Sequence, residues 1–333
     1  MDYPSTNISL PVIDKILRLN QQSFAAMAFE IFNFQYRNNP VYRKWVDALH
    51  INPAIDGAIT QIPFLPISFF KTHQLTVSDA LPEIIFTSSG TTGVQTSSHY
   101  VQTVEVYRRS FMAAFRLFYG DPEEWAIIGL LPSYLERQGS SLVVMADELI
   151  KASNNTDSGF FLYNFEQLKE TLQRREKAGK KTWLIGVTYA LIDFAEQYPM
   201  PLQHTVVLET GGMKGRKKEL TRMEVQAVLK EAFALPSIHS EYGMTELLSQ
   251  AYSSGDGNFK CPPWMKMLVR DEDDPLLVKT AGVGALCIID LANFNSCSFI
   301  ATEDLGRLHA DGSFEIMGRM DNSDVRGCSL LSL

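Results

Sequence analysis

Six neighbouring residues in this chain carry a hydroxyl or no side chain at all: Ser88-Ser89-Gly90-Thr91-Thr92-Gly93, with Thr87 just ahead of them. Glycine lets a backbone approach a ligand closely and take positive φ. N–H groups and hydroxyls that converge on one concavity make a nest for phosphate oxygens. A P-loop needs Gly, four residues and then Gly-Lys-Ser/Thr. Val94 follows Gly93 here, so this loop is a different device. A plain polar surface loop has the same composition, and the loop alone does not separate the two readings. Glu83-Ile84-Ile85-Phe86 run straight into it and predict a buried strand end.

The loop is the first of three ordered motifs. Ser88 to Gly93 resembles the phosphate-loop signature of the adenylate-forming enzymes: acyl-CoA synthetases, firefly luciferase and peptide-synthetase adenylation domains. Glu241-Tyr242-Gly243-Met244-Thr245-Glu246 resembles their adenine and magnesium motif. Thr302-Glu303-Asp304-Leu305-Gly306-Arg307, followed by Gly318-Arg319-Met320-Asp321, resembles their ribose motif and interdomain hinge. Within that superfamily, Pro63 to Lys71 and Val325 to Leu331 are most similar to the acyl-protein synthetases of bacterial luminescence.

The resemblance implies ATP and Mg2+ as cofactors and assigns roles. Glu246 supplies the carboxylate oxygen that a hard cation prefers, and Thr245 hydrogen-bonds the α-phosphate. Tyr242 has a flat face suited to stacking on adenine, with Gly243 beside it. Gly211 and Gly212 line the adenine pocket. Asp304 accepts from the ribose hydroxyls, as acidic residues do in other nucleotide sites. Arg319 reaches the ribose or phosphates. Each has a plainer reading: Tyr242 as a core aromatic, Glu246 as a helix-start acid, Gly211-Gly212 as a tight turn, Asp304 as a turn residue and Arg319 as an exposed salt bridge.

Two departures from the family stand out. The lysine that often ends the phosphate motif is replaced by the run Val94-Gln95-Thr96. The sequence also stops twelve residues after Asp321, so the small C-terminal domain with its catalytic lysine is expected to be absent. The luminescence synthetases are also short there and carry the acyl group as a thioester on a cysteine near the C-terminus, which points to Cys328. Arg326 lies two residues away, and nearby cations lower a thiol pKa. From Asp321 to Cys328 the chain spans up to about 25 Å when extended. Cys328 reads equally as a small hydrophobe packing beside Leu330 and Leu331. Cys261, Cys287 and Cys297 lie in strand-like apolar contexts and read as structural.

Regular elements must position these groups. Helical spacing of Leu17, Phe24, Met27, Ile31 and Phe32 predicts helices over 11–49. Asn52 to Pro66 reads as a loop. Helices are expected over 101–118, 140–152, 164–179 (capped by Asn164), 189–197 and 216–233. Continuous apolar runs predict buried strands at 125–131, 183–187 and 205–209, with a short strand over 237–240. Alternation of this kind implies a mostly parallel sheet flanked by helices, with ligands at its carboxyl ends. From about Leu268 the pattern becomes short alternating strands, with turns at Gly282-Val283-Gly284 and Asp311-Gly312, and predicts a small antiparallel layer. The expected fold is therefore α/β: a large adenylate-forming domain over 1–318, helical over 1–80, and a short tail over 319–333.

Composition sets the outer bounds. The net charge of −8 argues against non-specific nucleic-acid binding. The four cysteines show no CxxC or CxxH spacing, so zinc is not expected. No signal peptide or membrane span is read in the sequence, which implies the cytoplasm. The expected function is ATP-dependent activation of a carboxylic acid, fatty or aryl, as an acyl-adenylate. The acyl group then passes to a thiol: Cys328, coenzyme A or a carrier protein. An acyltransferase or reductase is a candidate partner. The rival reading is a non-catalytic nucleotide- or acyl-binding subunit of a partner complex.

Overall fold

The structure is a computed structural model describing residues 9–53, 57–88, 96–131, 139–211, 220–255, 257–271 and 274–320. It opens with helices α1 (Ser9–Ile16), α2 (Phe24–Asn38) and α3 (Pro40–Ala48). Asn39 separates the last two: its side chain accepts from the Val41 and Tyr42 N–H groups and donates to the Ser296 carbonyl at 3.0 Å. A helix cap thus doubles as a long-range tie. Gln35 makes a second one. It donates to the carbonyls of Asn293 and Phe294 and accepts from the Ser298 N–H. A two-residue strand, β1 (Leu65–Pro66), then pairs in parallel with residues 300–301. The expected loop over 52–66 therefore contains a strand at its end.

Helix α4 (Phe69–Thr72) leads to β2 (Ile84–Thr87) and β3 (Ser98–Val101), which form a hairpin of their own. The stretch expected as a buried strand end is exposed on one side. Ile85 is 40% exposed and Phe86 is fully buried. The apolar run hides a two-residue alternation, because a two-stranded ribbon has only one face to put on a core. Helix α5 (Val104–Tyr119) follows. It starts three residues later than the sequence suggested, since 98–101 belongs to the hairpin.

The parallel sheet comes next: β4 (Ala126–Leu130), α6 (Ser141–Ser153), β5 (Gly159–Phe160), α7 (Phe165–Lys177), β6 (Thr182–Val187), α8 (Thr188–Gln197), β7 (Thr205–Thr210), α9 (Arg222–Phe233), β8 (His239–Tyr242) and β9 (Ala251–Ser253). Its order is β5-β4-β6-β7-β8-β9, parallel except for the edge strand β9. Trp183 and Ile185 face a core shared with α5, while Leu184 joins a second core with α7, α8 and α9. Both faces are covered, so these strands read as unbroken apolar runs. Helix α9 starts at Arg222 under a Thr221/Glu224 capping box; positions 216–219 of the expected helix lie outside the described residues. Strand β8 runs two residues later than expected and takes in Glu241 and Tyr242.

The antiparallel layer is the larger of the two in strand number. It contains β10 (Asn258–Phe259), β11 (Met265–Arg270), β12 (Val278–Lys279), β13 (Gly282–Asp290), β14 (Phe299–Leu308) and β15 (Phe314–Arg319), in the order β10-β15-β14-β13-β11-β12, with β1 added to β14. Gly282-Val283-Gly284 is not a turn but the start of β13. The Arg270 carbonyl occupies the place that a Gly284 side chain would need, so the glycine serves a close approach of two strands. The turn at Asp311-Gly312 links β14 to β15 as expected. Among the described residues, no helix is long and apolar enough to cross a membrane.

Candidate nucleotide and acyl-transfer site

The carboxyl ends of β7 and β8 hold Gly211 and the segment Glu241 to Glu246. The Tyr242 ring is buried edge-on against Phe259 and Phe314. Its hydroxyl donates to Asp304 Oδ2 at 2.8 Å. Arg319 Nε donates to the other oxygen of Asp304 at 3.2 Å. Residues 242, 304 and 319, far apart in sequence, thus form one cluster. Arg319 is 69% exposed there, so its pairing with Asp304 is a surface ion pair. Gly211 takes φ +75°, and its carbonyl accepts from the Thr188 hydroxyl at 3.4 Å. The Glu241 carboxylate lies in the space beside the Gly243 α-carbon, so a side chain at 243 would have to displace it.

The phosphate-loop hairpin reaches the same region by side-chain bonds. At its mouth the Ser88 N–H donates to the Ser97 carbonyl and the Ser97 N–H donates to Ser88 Oγ. The Thr87 N–H donates to the Gly139 carbonyl at 2.9 Å. Ser97 also hydrogen-bonds the Glu246 carboxyl. His99, on β3, sits with Nδ1 2.9 Å from the Thr245 carbonyl and Nε2 3.0 Å from Asn293 Oδ1. Asn293 donates onward to the carbonyls of Glu246 and Cys297. Asp290 then accepts from the Leu248 N–H and the Ser249 hydroxyl. The second motif is therefore clamped between the hairpin and the turn that follows β13.

Burial sets the electrostatics. It raises the Glu246 carboxyl, against the pull of Ser97 and other partners. It pushes Glu241 up to about 7 and Asp290 up to about 6. For His99, burial is the larger influence and pushes the ring down to about 4, while its two partners pull the other way. Burial also raises Cys261, Cys287 and Cys297 to about 12, which makes them poor nucleophiles at neutral pH. Among the described residues no group of three or more His, Cys, Asp or Glu is placed to hold a metal.

Thr87, Ser88, Gly211, Tyr242, Gly243, Thr245, Glu246, Asp304 and Arg319 are therefore all placed; the bonds above join Tyr242, Asp304 and Arg319 in one group and tie the hairpin at Ser88 to Thr245 and Glu246, through Ser97 and His99, in another. Ser89, Gly90, Thr91, Thr92, Gly93, Gly212 and Cys328 lie outside the described residues. The sequence reading missed His99, Asn293, Ser97 and Asp290. Their partners are 146 and 194 residues from His99, so no local spacing signals them.

The description "acyl-protein synthetase, LuxE" matches residues 19–332. The chain belongs to this family. The class expected from the motifs, an AMP-forming acid:thiol ligase, is the family's class. Among relatives, the long-chain-fatty-acid–luciferin-component ligase of Vibrio harveyi is 24% identical over 321 residues, covering 90% of this chain and 84% of that protein. Among solved structures, ATP-bound MatB from Rhodopseudomonas palustris matches with a TM-score of 0.53 at 14% identity, over 71% of this chain and 47% of that one. The O-succinylbenzoate coenzyme A synthetase of Bacillus subtilis, solved with ATP and magnesium, matches with a TM-score of 0.50 at 13% identity, over 71% of this chain and 49% of that one. The fold of this acyl-protein synthetase family member is thus that of the adenylate-forming enzymes, and the chain spans about half the length of those two structures.

Proposed function

We propose that this chain condenses a long-chain carboxylic acid with ATP to an acyl-adenylate and passes the acyl group to the Cys328 thiol. The observation that carries the proposal is the bridge from the phosphate-loop hairpin to the second motif: Ser97 on Glu246, and His99 between Thr245 and Asn293. It places the ends of a hydroxyl-rich loop beside a buried carboxyl. ATP takes its triphosphate in loop 87–93, with Thr245 on the α-phosphate. Its base lies against Tyr242, Gly243 and the Gly211-Gly212 turn, and its ribose faces Asp304 and Arg319.

The donor set fits magnesium. Glu246 is a buried carboxyl whose pKa burial has raised, and a bound cation would offset that cost. Glu246 would hold the ion, which when bound neutralises phosphate charge. The chain's own residues do the rest. Backbone N–H groups and hydroxyls of the loop stabilise negative charge that develops during attack, and positioning supplies much of the acceleration. The carboxylate oxygen of the acid bonds to the α-phosphorus and pyrophosphate leaves. The Cys328 thiolate then bonds to the acyl carbon and AMP leaves. Coenzyme A and a carrier-protein thiol are the competing acceptors. An acyltransferase that supplies the acid and a reductase that consumes the thioester are the fitting partners.

ATP–pyrophosphate exchange with a panel of fatty and aryl acids tests the first step. Exchange that depends on a long-chain acid is expected; none with any acid overturns the ligase reading. One hydroxylamine-labile acyl group per chain, lost in Cys328→Ser while exchange persists, is expected for the second. A label that survives that substitution removes Cys328 from the pathway.

A further inference from the structure

A groove of about 1020 Å³ runs beside β1 and the start of β12, lined in part by Thr302, Glu303 and Met320 of the third motif. Trp45, Leu49, Ile51, Ile62, Leu276 and Leu277 line it. Leu276 and Leu277 stand 57% and 47% exposed on its rim, an apolar surface that nothing among the described residues covers. One cation lies in its wall. Arg270 donates through Nη2 to the Thr302 carbonyl, and the same nitrogen is 3.7 Å from Met320 Sδ. Arg270 Nε is buried and has no hydrogen-bond partner among the described residues. The Arg270 guanidinium lines the groove, where a carboxylate brought against it would make a charge-assisted contact.

Met320 itself lines the groove, tied by its N–H to the Glu303 carbonyl at 2.7 Å. The next residue is Asp321, and thirteen residues, 321–333, follow Met320. They include Val325, Leu330, Leu331 and Leu333. Ten residues separate Met320 from Leu330, a reach of up to about 35 Å when extended. Chemistry matches on both counts: aliphatic side chains for an apolar floor, and a carboxylate next in sequence to Met320, whose sulfur lies 3.7 Å from the Arg270 guanidinium.

We propose that this groove is the docking site of the chain's own segment 321–333, with Leu330 and Leu331 against its apolar wall and Asp321 accepting from Arg270. Docking holds the segment that carries Cys328 on a defined surface beside the hinge-like Gly318-Arg319-Met320. The segment competes well against free ligands because it is tethered at the rim.

Trp45 reports occupancy, since Trp125, Trp183 and Trp264 are buried. With a tethered segment at about millimolar effective concentration the docked state predominates, so Leu330→Asp/Leu331→Asp is expected to raise acrylamide quenching of tryptophan roughly twofold. Leu276→Asp/Leu277→Asp, on the exposed rim, should do the same. Cross-linking of an otherwise unchanged chain covers the case in which a variant fails to fold. Gln61→Cys, in the groove, should form a disulfide with Cys328 in much higher yield than Met317→Cys, which is three residues from Met320 and within reach of any free tail. Equal yields, or quenching unaltered by the tail variant, overturns the proposal. Quenching that ignores the tail but falls with added dodecanoate gives the groove to an acyl chain, and dependence on protein concentration gives it to a second copy; either result overturns it too. None of these readouts involves acyl transfer, so they stand apart from the proposed role of Cys328.

Discussion

The parallel sheet and the β2–β3 hairpin both bring motifs to the candidate site, and they are held there in opposite ways. Strands β7 and β8 sit inside a six-stranded sheet, with ladder partners on both sides and covered faces. Among the described residues the hairpin pairs only within its own two strands, and the bonds that fix its position come from a few side chains, chiefly Ser97 and His99. Damage to the sheet should therefore appear first as lost stability. Damage to the hairpin should appear first as lost activity at modest cost to folding.

The largest expected effect breaks the sheet. Trp183→Ala removes a fully buried ring shared with Phe115 and Tyr119 and should cost about 3–5 kcal/mol in urea unfolding. The fraction that stays folded should keep its pyrophosphate exchange. A comparable loss of exchange per folded molecule would erase the contrast.

The second test uses pH. Glu241, hydrogen-bonded by Thr210 at 2.5 Å, is pushed by burial up to about 7. Between its ordinary range near 4.5 and that value, the folded chain holds a proton that the unfolded chain has lost. Stability from this group is therefore complete below about 4.5 and declines as pH rises through 7. The difference is at most about 3 kcal/mol. Glu241→Gln should remove that decline, measured as the pH dependence of the urea midpoint; parallel profiles for variant and parent would contradict it.

Glu246→Gln keeps shape and loses charge. Exchange should fall by the equivalent of about 1.5–3 kcal/mol and need more magnesium for half-saturation. A magnesium titration that overlays the parent removes Glu246 from the metal's neighbourhood. His99→Leu removes the buried ring between the Thr245 carbonyl and Asn293 Oδ1, and with it the one hydrogen bond a neutral imidazole donates there, and should cost about 1–3 kcal/mol of stability, with exchange reduced more than in Trp183→Ala. That ordering is the sharpest form of the comparison. The smallest effect belongs to Arg319→Ala: its exposed pairing with Asp304 should contribute at most about 1 kcal/mol to stability, whatever happens to the affinity for ATP.

The parallel sheet was legible because burial on both faces writes itself as unbroken runs such as 182–187, and the three motifs were legible because glycines and hydroxyls cluster locally. Two kinds of feature were not. Strand edges that depend on a neighbour's backbone, such as Gly284 against Arg270, read as turns when seen alone. Residues that act across the fold carry no local pattern. His99 had no partner at any useful spacing, yet it joins β3 to 245 and 293. Tyr242 and Asp304 were expected to meet a nucleotide, and the structure adds that they meet each other.

The N-terminal helices have their own consequence. Gln35 and Asn39 are completed by residues 293–298, and Leu65-Pro66 by residues 300–301. During synthesis these helices emerge well before their partners. At about 5–20 residues per second the wait between 65 and 300 is on the order of 10–50 seconds. Through that interval the apolar faces of α2 and α3 lack the antiparallel layer that buries them. The region therefore depends on holding chaperones through that interval, and a ribosome that stops short of residue 300 releases a product in which Gln35, Asn39 and the Leu65-Pro66 strand lack their partners.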